Sequence, residues 1–474
     1  MASQLKYSFA SSLTQRFAVP NDRSSGATFR IPPGKRSFIV KAVQSYKVPT
    51  EMPAIEAYPM NGGHGIYSYA KNSYRQGQAI HAVKELIKEE ITEKLDINMF
   101  PSSDTFRIVD MGCSAGPNTF FAVQNVLEAV EKKYQCQGLD HHRLPEYQVF
   151  FNDHYSNDFN TLFTSLPPNR NYYVAGVPGS FHVRLFPEAS LHIVISSYAI
   201  QWISHIPKEL VDKSSPAWNK GRTYYAHAGA ETIKAYADQF AKDMDNFLHF
   251  RAQEVVPGGM VLLTIPGGRW DGDSDYQLLP NTLYDLLESS IVEMAQKGII
   301  SEEKLDSFNV PQYFPSPQEM EAAVKRNGCF FVERIECLHD EKKQANPKEA
   351  RAFSSHMRAG LEFLLSEHFG PEIMDELFDS FTRKIEENEV FDMGVAFKLL
   401  VSDLSVPSYH SLDQVATDPT YGLDSGDGGA CVMMEKEVLM KVEEVLVVWM
   451  WQVLGEGHGS RWSGGWRLMM RMKQ

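Results

Sequence analysis

Short apolar runs alternate with amphipathic segments through the middle of the chain. Four runs have the length and composition of buried strands, at residues 106–111, 148–151, 191–197 and 260–265. The run LHIVISS at 191–197 is nearly all apolar, as expected of a strand covered on both faces. Residues 118–133 and 231–255 instead place apolar residues at helical spacing. Strands that alternate with helices predict an α/β fold, a largely parallel sheet with helices on both faces.

A second group of amphipathic segments follows the last of these strands. Residues 276–313 carry Leu, Ile, Met and Phe in helical patterns. We therefore predict a mostly α-helical cap over the sheet, formed by approximately residues 270–330 and 345–390. The tetrapeptide Ser316-Pro317-Gln318-Glu319 is a capping box with proline at the first helical position, which predicts the start of a helix.

The two ends of the chain differ from the middle in composition. Residues 1–47 contain eight basic residues, one acidic residue and eight serines. This composition is typical of an organelle transit peptide, and equally of a disordered tail. After Val401 the sequence becomes rich in Ser, Asp and Gly, and then in Met and Trp. We divide the chain into a basic leader (1–53), a core with its cap (54–404) and a C-terminal appendage outside the catalytic unit (405–474).

Charge and cysteine content argue against several classes of partner and site. The 474 residues carry 60 acidic and 46 basic side chains, a net charge of -14, so we expect no nucleic-acid partner. The five cysteines form no CxxC pair, which indicates neither a disulfide framework nor a zinc ribbon. The longest apolar run, residues 445–454, has ten residues including Gln452. A membrane helix needs about 20, so no membrane partner is expected either.

The loops after the first two predicted strands carry the candidate chemistry, because ligands of such sheets bind at the carboxyl ends of the strands. The loop DMGCSAGPN contains Gly112 and Gly116 but matches neither GxGxxG nor a phosphate-binding loop. Asp110 would repel a pyrophosphate but suits a ligand with an ammonium group, and Asp153 suits the hydroxyls of a ribose. S-adenosylmethionine (SAM) has these groups and no phosphate. Taken alone, each carboxylate fits a turn or a helix cap equally well.

Seven ordered segments of the core carry a family resemblance. They are MNGGHGIYSYAKNS (60–73), DMGCSAGPNT (110–119), FFNDHYSNDFN (150–160), GVPGSFHVRLFP (176–187), SSYAIQW (196–202), NKGR (219–222) and DSFNVPQYFPS (306–316). In this order they resemble the plant SABATH family of SAM-dependent methyltransferases, in particular its branch for terpenoid and iridoid acids such as loganic acid. The resemblance implies a Rossmann-like class I methyltransferase fold. It implies methyl transfer to the carboxylate of a small metabolite or, in another branch, to a ring nitrogen.

The resemblance also implies roles for individual residues. Those expected around SAM are Tyr69, Asp110, Asn118, Asp153, His154, Ser180 and Phe181. Those expected to hold the acceptor are Asn72, Gln76, Tyr198, Gln201 and Trp202. Some members bind Mg²⁺ at positions matching Asn219, Asp306, Phe308 (through its carbonyl) and Asn309, for which a hydrogen-bonding role in the loop is an equal alternative. Many relatives have lysine at the position of Asn61. A homodimer and a cytoplasmic location are implied by family, with the plastid as the alternative suggested by the leader.

The expected reaction needs positioning rather than a catalytic base. A carboxylic acid with a pKa near 4 is already ionised at neutral pH, and the sequence indicates no Ser-His-Asp or Cys-His arrangement. We therefore predict in-line displacement in a dry, largely apolar pocket, with no catalytic acid or base. The alternatives are an N-methyltransferase for a xanthine-like ring and a SAM-binding pseudoenzyme. A nicotinamide-dependent oxidoreductase is disfavoured by Asp110.

Overall fold

The computed structural model describes residues 56–100, 105–138, 144–266, 279–339, 343–344, 347–388, 390–391 and 395–403. The helices are α1 (Tyr69–Asn72), α2 (Tyr74–Ala82), α3 (Lys84–Lys94), α4 (Asn118–Cys136), α5 (Phe159–Thr164), α6 (Ala230–Glu254), α7 (Leu279–Gln296), α8 (Glu302–Ser307), α9 (Pro317–Asn327), α10 (Pro347–Phe369) and α11 (Met374–Glu387). The strands are β1 (Phe106–Met111), β2 (Tyr147–Asp153), β3 (Tyr172–Pro178), β4 (Leu191–Ser197), β5 (Val255–Pro266), β6 (Phe330–His339), β7 (Lys343–Gln344), β8 (Val390–Phe391) and β9 (Val395–Asp403). The predicted leader and appendage lie outside the described residues.

Seven of the strands form one sheet, in the order β3-β2-β1-β4-β5-β9-β6. The first five are parallel, and β9 runs antiparallel between β5 and β6. The chain first moves outward from β1 to β3 and then returns to place β4 on the other side of β1. This reversal opens a crevice at the carboxyl ends of β1 and β4, where such sheets bind ligands. The predicted α/β fold is confirmed.

Alternating side chains cover the two faces of the sheet with separate apolar cores. Ile108 and Ile193 pack with residues of α3 and α4 on one face. Val109, Val194 and Val261 pack on the other face with α6, α9 and residues of the cap helices. Because successive strand residues point to opposite faces, a strand buried on both faces is expected to be apolar along most of its length. This double burial accounts for the composition of β4, all but the last of whose residues are buried.

The predicted elements agree closely with the observed ones. Strand β4 has the predicted bounds, and α6 begins and ends one residue before the prediction. Helix α9 begins with the predicted capping box: Ser316 Oγ accepts from the Glu319 amide, the Glu319 carboxylate accepts from the Ser316 amide, and Pro317 is the first helical residue. Strands β3 and β6 to β9 and helices α1 to α3 and α5 were not predicted. Helix α3, KELIKEEITEK, shows only three buried residues among charged ones.

The region expected to form the cap contains α7, α8, α10 and α11. Helix α11 packs against both α7 and α10, and α10 reaches α1 near the crevice. Helix α9 lies in the same part of the chain but packs on α6 and β6, so it belongs to the layer that covers the sheet. No helix among the described residues is long and apolar enough to span a bilayer.

Candidate active site

The loop after β1 forms the floor of the crevice. Gly112 has φ +83°, and a Cβ added there would lie 2.2 Å from the Cβ of Ala199 and 3.8 Å from the ring of Phe181. The amides of Gly112 and Cys113 both donate to the carbonyl of Asn152, at 2.9 and 3.0 Å. Glycine is therefore required at position 112 both by the backbone conformation and by the close approach of the next segments.

Asp110 is almost fully buried at the end of β1. Its Oδ2 accepts a hydrogen bond of 2.5 Å from Thr119 Oγ1, whereas its Oδ1 is buried and has no hydrogen-bond partner among the described residues. Burial raises the pKa of Asp110 to about 7, against the lowering effect of the Thr119 hydroxyl. A buried carboxylate oxygen without a donor favours a cationic or N–H-bearing ligand at this point.

Asp153 lies at the end of β2, on the other side of the loop. Its Oδ2 accepts from the amide of Ser114 and its Oδ1 from the amide of His154, both at 2.7 Å. These bonds use two of about four acceptor positions of the carboxylate, so the remainder can accept from ligand hydroxyls. Burial raises the pKa of Asp153, and it lowers the pKa of the neighbouring His154 imidazole.

Ser180 and Phe181 lie in the loop after β3, and a buried ion pair on α6 holds that loop. Arg251, fully buried, donates to the carbonyls of Phe181 and Val183 at 2.8 and 3.0 Å. It pairs with Glu254 at 2.7 Å. Glu254 in turn accepts from the amides of residues 185 and 186. These bonds hold the backbone at Phe181, whose ring lies at the floor of the crevice close to Gly112.

Two predicted cofactor residues lie at the junction between the crevice and the N-terminal helices. Tyr69 lies against the loop after β1, because a Cβ added at Gly116 would lie 3.7 Å from its ring. Burial, and then the charges of Asp153 and Asp110, raise the pKa of its phenol. Asn118 has a different environment. Its amide donates to the carbonyl and hydroxyl of Ser73, at 2.8 and 2.9 Å, and so ties the start of α4 to the start of α2.

A cavity of about 140 Å³ opens next to Tyr69, between the sheet and the cap. Of the residues predicted to hold the acceptor, Gln76, Tyr198, Gln201 and Trp202 line it. Asn72 does not, because its side-chain amide donates back to the carbonyls of Ile66 and Ser68, at 2.8 Å each. The other walls are mostly apolar or aromatic and include Met60, Leu283, Tyr284, Phe314, Met357 and Leu361.

The segment after β4 presents Gln201 and Trp202 to the cavity. Tyr198 has φ +56°, which is unusual for a residue other than glycine, and turns the chain directly after the strand. Trp202 pairs as an isolated bridge with Gln312 and stacks on Tyr58 with ring centroids 5.7 Å apart. Gln201 donates from Nε2 to the carbonyl of Tyr198 at 2.8 Å, and its buried Oε1 has no partner among the described residues.

Two polar residues of the cavity wall, Arg75 and His356, were missed by the sequence analysis. Arg75 lies on α2 with its guanidinium carbon 4.8 Å from the centre of the Phe353 ring. His356 lies on α10, and its Nδ1 is 2.9 Å from the carbonyl oxygen of Asn72. No local pattern marks them, since only the packing of α10 against α1 and α2 brings them to the cavity.

Comparison with known proteins identifies the family. A family profile described as "SAM dependent carboxyl methyltransferase" matches residues 56–402. Loganic acid O-methyltransferase of Catharanthus roseus is 45% identical over 365 residues, which cover 75% of this chain and 96% of that protein. The chain belongs to the SABATH family of SAM-dependent carboxyl methyltransferases. The predicted family and the predicted enzyme class are thus confirmed.

Further relatives of this methyltransferase differ in their acceptors. Farnesoic acid carboxyl-O-methyltransferase of Arabidopsis thaliana is 38% identical, covering 70% of this chain and 93% of that protein. A 3,7-dimethylxanthine N-methyltransferase of Camellia sinensis var. assamica is 41% identical, covering 68% and 89%. Among solved structures, a loganic acid methyltransferase with SAH has a TM-score of 0.68 and 43% identity, covering 73% of this chain and 98% of that one.

The crevice of this methyltransferase fits SAM. The unpartnered oxygen of Asp110 suits the ammonium group, and the free acceptor positions of Asp153 suit the ribose hydroxyls. The solved loganic acid methyltransferase contains SAH, which supports binding of SAM by this family member.

The four residues predicted for magnesium lie together but do not fit the ion as arranged. Asn219 Nδ2 donates to Asn309 Oδ1 at 2.8 Å, and the amide of Gly221 donates to Asp306 Oδ1 at 2.9 Å. Mg²⁺ requires near-octahedral oxygen ligands. Two of the expected oxygens already accept N–H bonds, and only Asn219 Oδ1 among the expected side-chain ligands is buried without a partner in the described part of the chain. The described residues contain no group of three or more His, Cys, Asp or Glu side chains that could hold a metal. The arrangement supports the hydrogen-bonding role in the loop.

Proposed function

We propose that the protein transfers the methyl group of SAM to the carboxylate of a small organic acid held by Gln201 and Trp202. One observation carries this proposal. Tyr69 lies against Gly116 in the loop after β1, where SAM is proposed to bind, and it also lines the cavity that contains Gln201 and Trp202. The cofactor crevice and the acceptor cavity therefore adjoin at a single side chain, as a direct transfer between two bound molecules requires.

The donors of the cavity suit a carboxylate. The indole N–H of Trp202 is one donor, and its ring is held by the stack on Tyr58. Gln201 Nε2 uses one hydrogen on the carbonyl of Tyr198 and has a second available. Two neutral N–H donors orient an anion without neutralising it, so the carboxylate stays nucleophilic.

The walls of the cavity favour the transition state. The negative oxygen and the positive sulfonium lose their charges together as the methyl group moves, so the transition state carries less separated charge than the reactants. An environment with little water disfavours the charged reactants relative to that transition state. Apolar side chains such as Leu283, Phe314 and Leu361 provide it. Since the acid is ionised already, no residue has to remove a proton.

One feature favours a second candidate, methylation of a ring nitrogen. The buried Oε1 of Gln201 has no partner and can accept from a ring N–H, a group that a carboxylate lacks. Such a reaction must also lose the acceptor proton.

A labelled-methyl assay tests the proposal. The protein is incubated with methyl-labelled SAM and salicylic, jasmonic, indole-3-acetic, gibberellic, farnesoic or loganic acid, with xanthines as controls. We expect label in a methyl ester, which alkali releases as methanol. Label only on xanthines would establish the second candidate, and SAM binding without any transfer would indicate a pseudoenzyme.

Three finer predictions stay open to direct tests. Homodimer formation is tested by light scattering. Residues 1–53 fused to a fluorescent protein distinguish plastid from cytoplasmic location. A need for magnesium, which the loop geometry does not support, would appear as activity lost in EDTA and restored by Mg²⁺.

A further inference from the structure

The segment that leads into α1 contacts both halves of the active site. Met60, at its start, lines the acceptor cavity and lies beside Gly360 of α10, where an added Cβ would be 3.6 Å from the methionine sulfur. Tyr69, directly after the segment, lies against Gly116 in the loop after β1. We name residues 60–68 the entry segment. Its placement determines where Met60 and Tyr69 lie at the junction between the crevice and the cavity.

One residue of the entry segment, Asn61, connects these two side chains to α10. Its backbone amide donates to the carbonyl of Ala359 at 2.9 Å, and its carbonyl accepts from the amide of Tyr69 at 2.7 Å. Its side-chain amide donates to Glu362 Oε2 at 2.6 Å. Asn61 therefore holds Tyr69 by a direct hydrogen bond and Met60 by the peptide bond that joins them.

The acceptor of the side-chain bond, Glu362, is itself held in place. Arg358, one turn earlier on α10, donates to Glu362 Oε1 from Nε and Nη2, at 3.0 and 2.7 Å. Arg358 is almost fully buried, and its guanidinium carbon lies 3.8 Å from the centre of the Tyr67 ring in the entry segment. One oxygen of Glu362 thus binds α10 and the other binds Asn61. We name Asn61, Glu362 and Arg358 the α10 latch.

The α10 latch lies behind the site rather than in it. None of its three side chains is among the described residues that line the acceptor cavity. A hydrogen bond to a carboxylate is stronger than one between neutral groups, so the latch resists displacement of the entry segment from α10. Methyl transfer requires an in-line arrangement in which a misplacement of 1 Å can cost about a hundredfold in rate. Any effect of the latch on that rate must pass through Met60 and Tyr69.

We infer that Asn61 is a positioning residue for methyl transfer, which holds Tyr69 and Met60 at the junction through its bond to Glu362. The inference rests on the proposed function, since it concerns a transfer across that junction. Gln201 and Trp202, which hold the acid, belong to another segment of the chain. Loss of the latch therefore lowers the rate of the transfer step more than the affinity for the acid.

An exchange of the two polar side chains tests this inference. Asn61→Asp removes the donor and places a second carboxylate beside Glu362, and Glu362→Gln removes the charged acceptor. In the double variant the glutamine amide can donate to the aspartate while its oxygen still accepts from Arg358. We expect each single variant to lower the single-turnover rate constant at saturating SAM and acid at least about tenfold, and the double variant to return to within about threefold of wild type. The affinities for acid and SAH should change less than about threefold, since their anchors are intact.

A second asparagine–glutamate bond provides the matched control. Asn171 donates to Glu131 Oε1 at 2.7 Å, but this bond is exposed. Asn171→Asp should leave the single-turnover rate constant unchanged. A merely structural latch would lower the midpoint of unfolding and leave the rate constant of the folded protein as in wild type. That result, or a double variant no faster than the single variants, would overturn the inference.

Hydrogen exchange separates this inference from the proposed function. Amide exchange of residues 60–69 is measured by mass spectrometry in the SAH-bound protein. We expect it to be at least about tenfold faster in Asn61→Asp than in wild type and to slow again in the double variant. If wild type methylates no acid, the proposed function fails, and the exchange rates still decide whether the latch holds Tyr69. Equal exchange in wild type and Asn61→Asp would overturn the role of the latch.

Discussion

The buried carboxylate of Asp110 should make cofactor binding depend on pH. Burial raises its pKa from 3.8 to about 7, which at 1.36 kcal/mol per pKa unit disfavours the ionised form by about 4 kcal/mol. The ammonium group of SAM pairs with the ionised form, so the association constant should rise with pH toward 7 and level off above it. The change in the ionised fraction predicts an increase on the order of eightfold between about pH 6 and pH 7.5.

The stability of the ligand-free protein should depend on pH in the opposite direction. A carboxyl group whose pKa is raised on folding favours the folded state at low pH, and this contribution is lost as the pH rises toward about 7. SAM should therefore stabilise the protein more at about pH 7.5 than at about pH 6. Calorimetric titration with SAH in two buffers of different ionisation enthalpy gives both the affinity and the number of protons released on binding. We expect about one proton to be released per bound SAH near about pH 6.

Substitutions separate this effect from other titrations. Asp110→Asn should bind SAH more weakly at about pH 7.5 and lose the dependence on pH. Asp212→Asn is the matched control, because Asp212 is exposed and its pKa is lowered by hydrogen bonds from Ser214. It should behave as wild type. A flat wild-type profile would refute the reasoning, and a full slope retained in Asp110→Asn would assign the titration to another group such as Asp153.

Two further substitutions test how the crevice is built. Gly112→Ala should weaken SAH binding at least about tenfold, because the new Cβ would lie 2.2 Å from the Cβ of Ala199. Adding Ala199→Gly should restore binding only in part, since φ at 112 stays positive. Full recovery would argue against the backbone requirement at Gly112. Arg251→Met should lower the free energy of unfolding by about 3–5 kcal/mol because it leaves Glu254 buried and unpaired. The double variant with Glu254→Met should recover only part of this loss in urea titrations, because the amides of residues 185 and 186 lose their acceptor. Its SAH affinity should stay low because the carbonyl of Phe181 has lost its Arg251 donor, and normal affinity would remove the positioning role.

The elements of the sheet could be predicted because burial on both faces leaves a local signal. Strand β4 is apolar almost throughout, and Asp110 and Asp153 stand at the ends of β1 and β2, where ligands bind in such folds. Strand β3 has only one buried residue, so its composition differs little from that of a loop. Helix α3 likewise has few buried residues, and its many charged side chains leave no clear helical pattern of apolar positions.

The polar residues of the cavity could not all be predicted, because their orientation depends on tertiary contacts. Asn72 is in the expected part of the chain, but its side chain bonds within its own turn. Asn118 is likewise engaged with Ser73. His356 is more than 280 residues from the carbonyl that fixes its tautomer. A single sequence contains no periodicity or motif that indicates a contact between residues so far apart in the chain.

The pH dependence of methyl transfer at saturating SAM and acid is the most direct test of the proposal that the enzyme only positions a carboxylate that is already ionised. Ester formation in the first turnover is measured by rapid quench between about pH 6 and pH 9. Since the acid has a pKa near 4 and no residue needs to accept a proton, we predict a rate constant that varies less than about twofold over this range. A rate constant that rises about tenfold per pH unit would show that a proton must be lost before the methyl group moves, and would contradict the positioning mechanism.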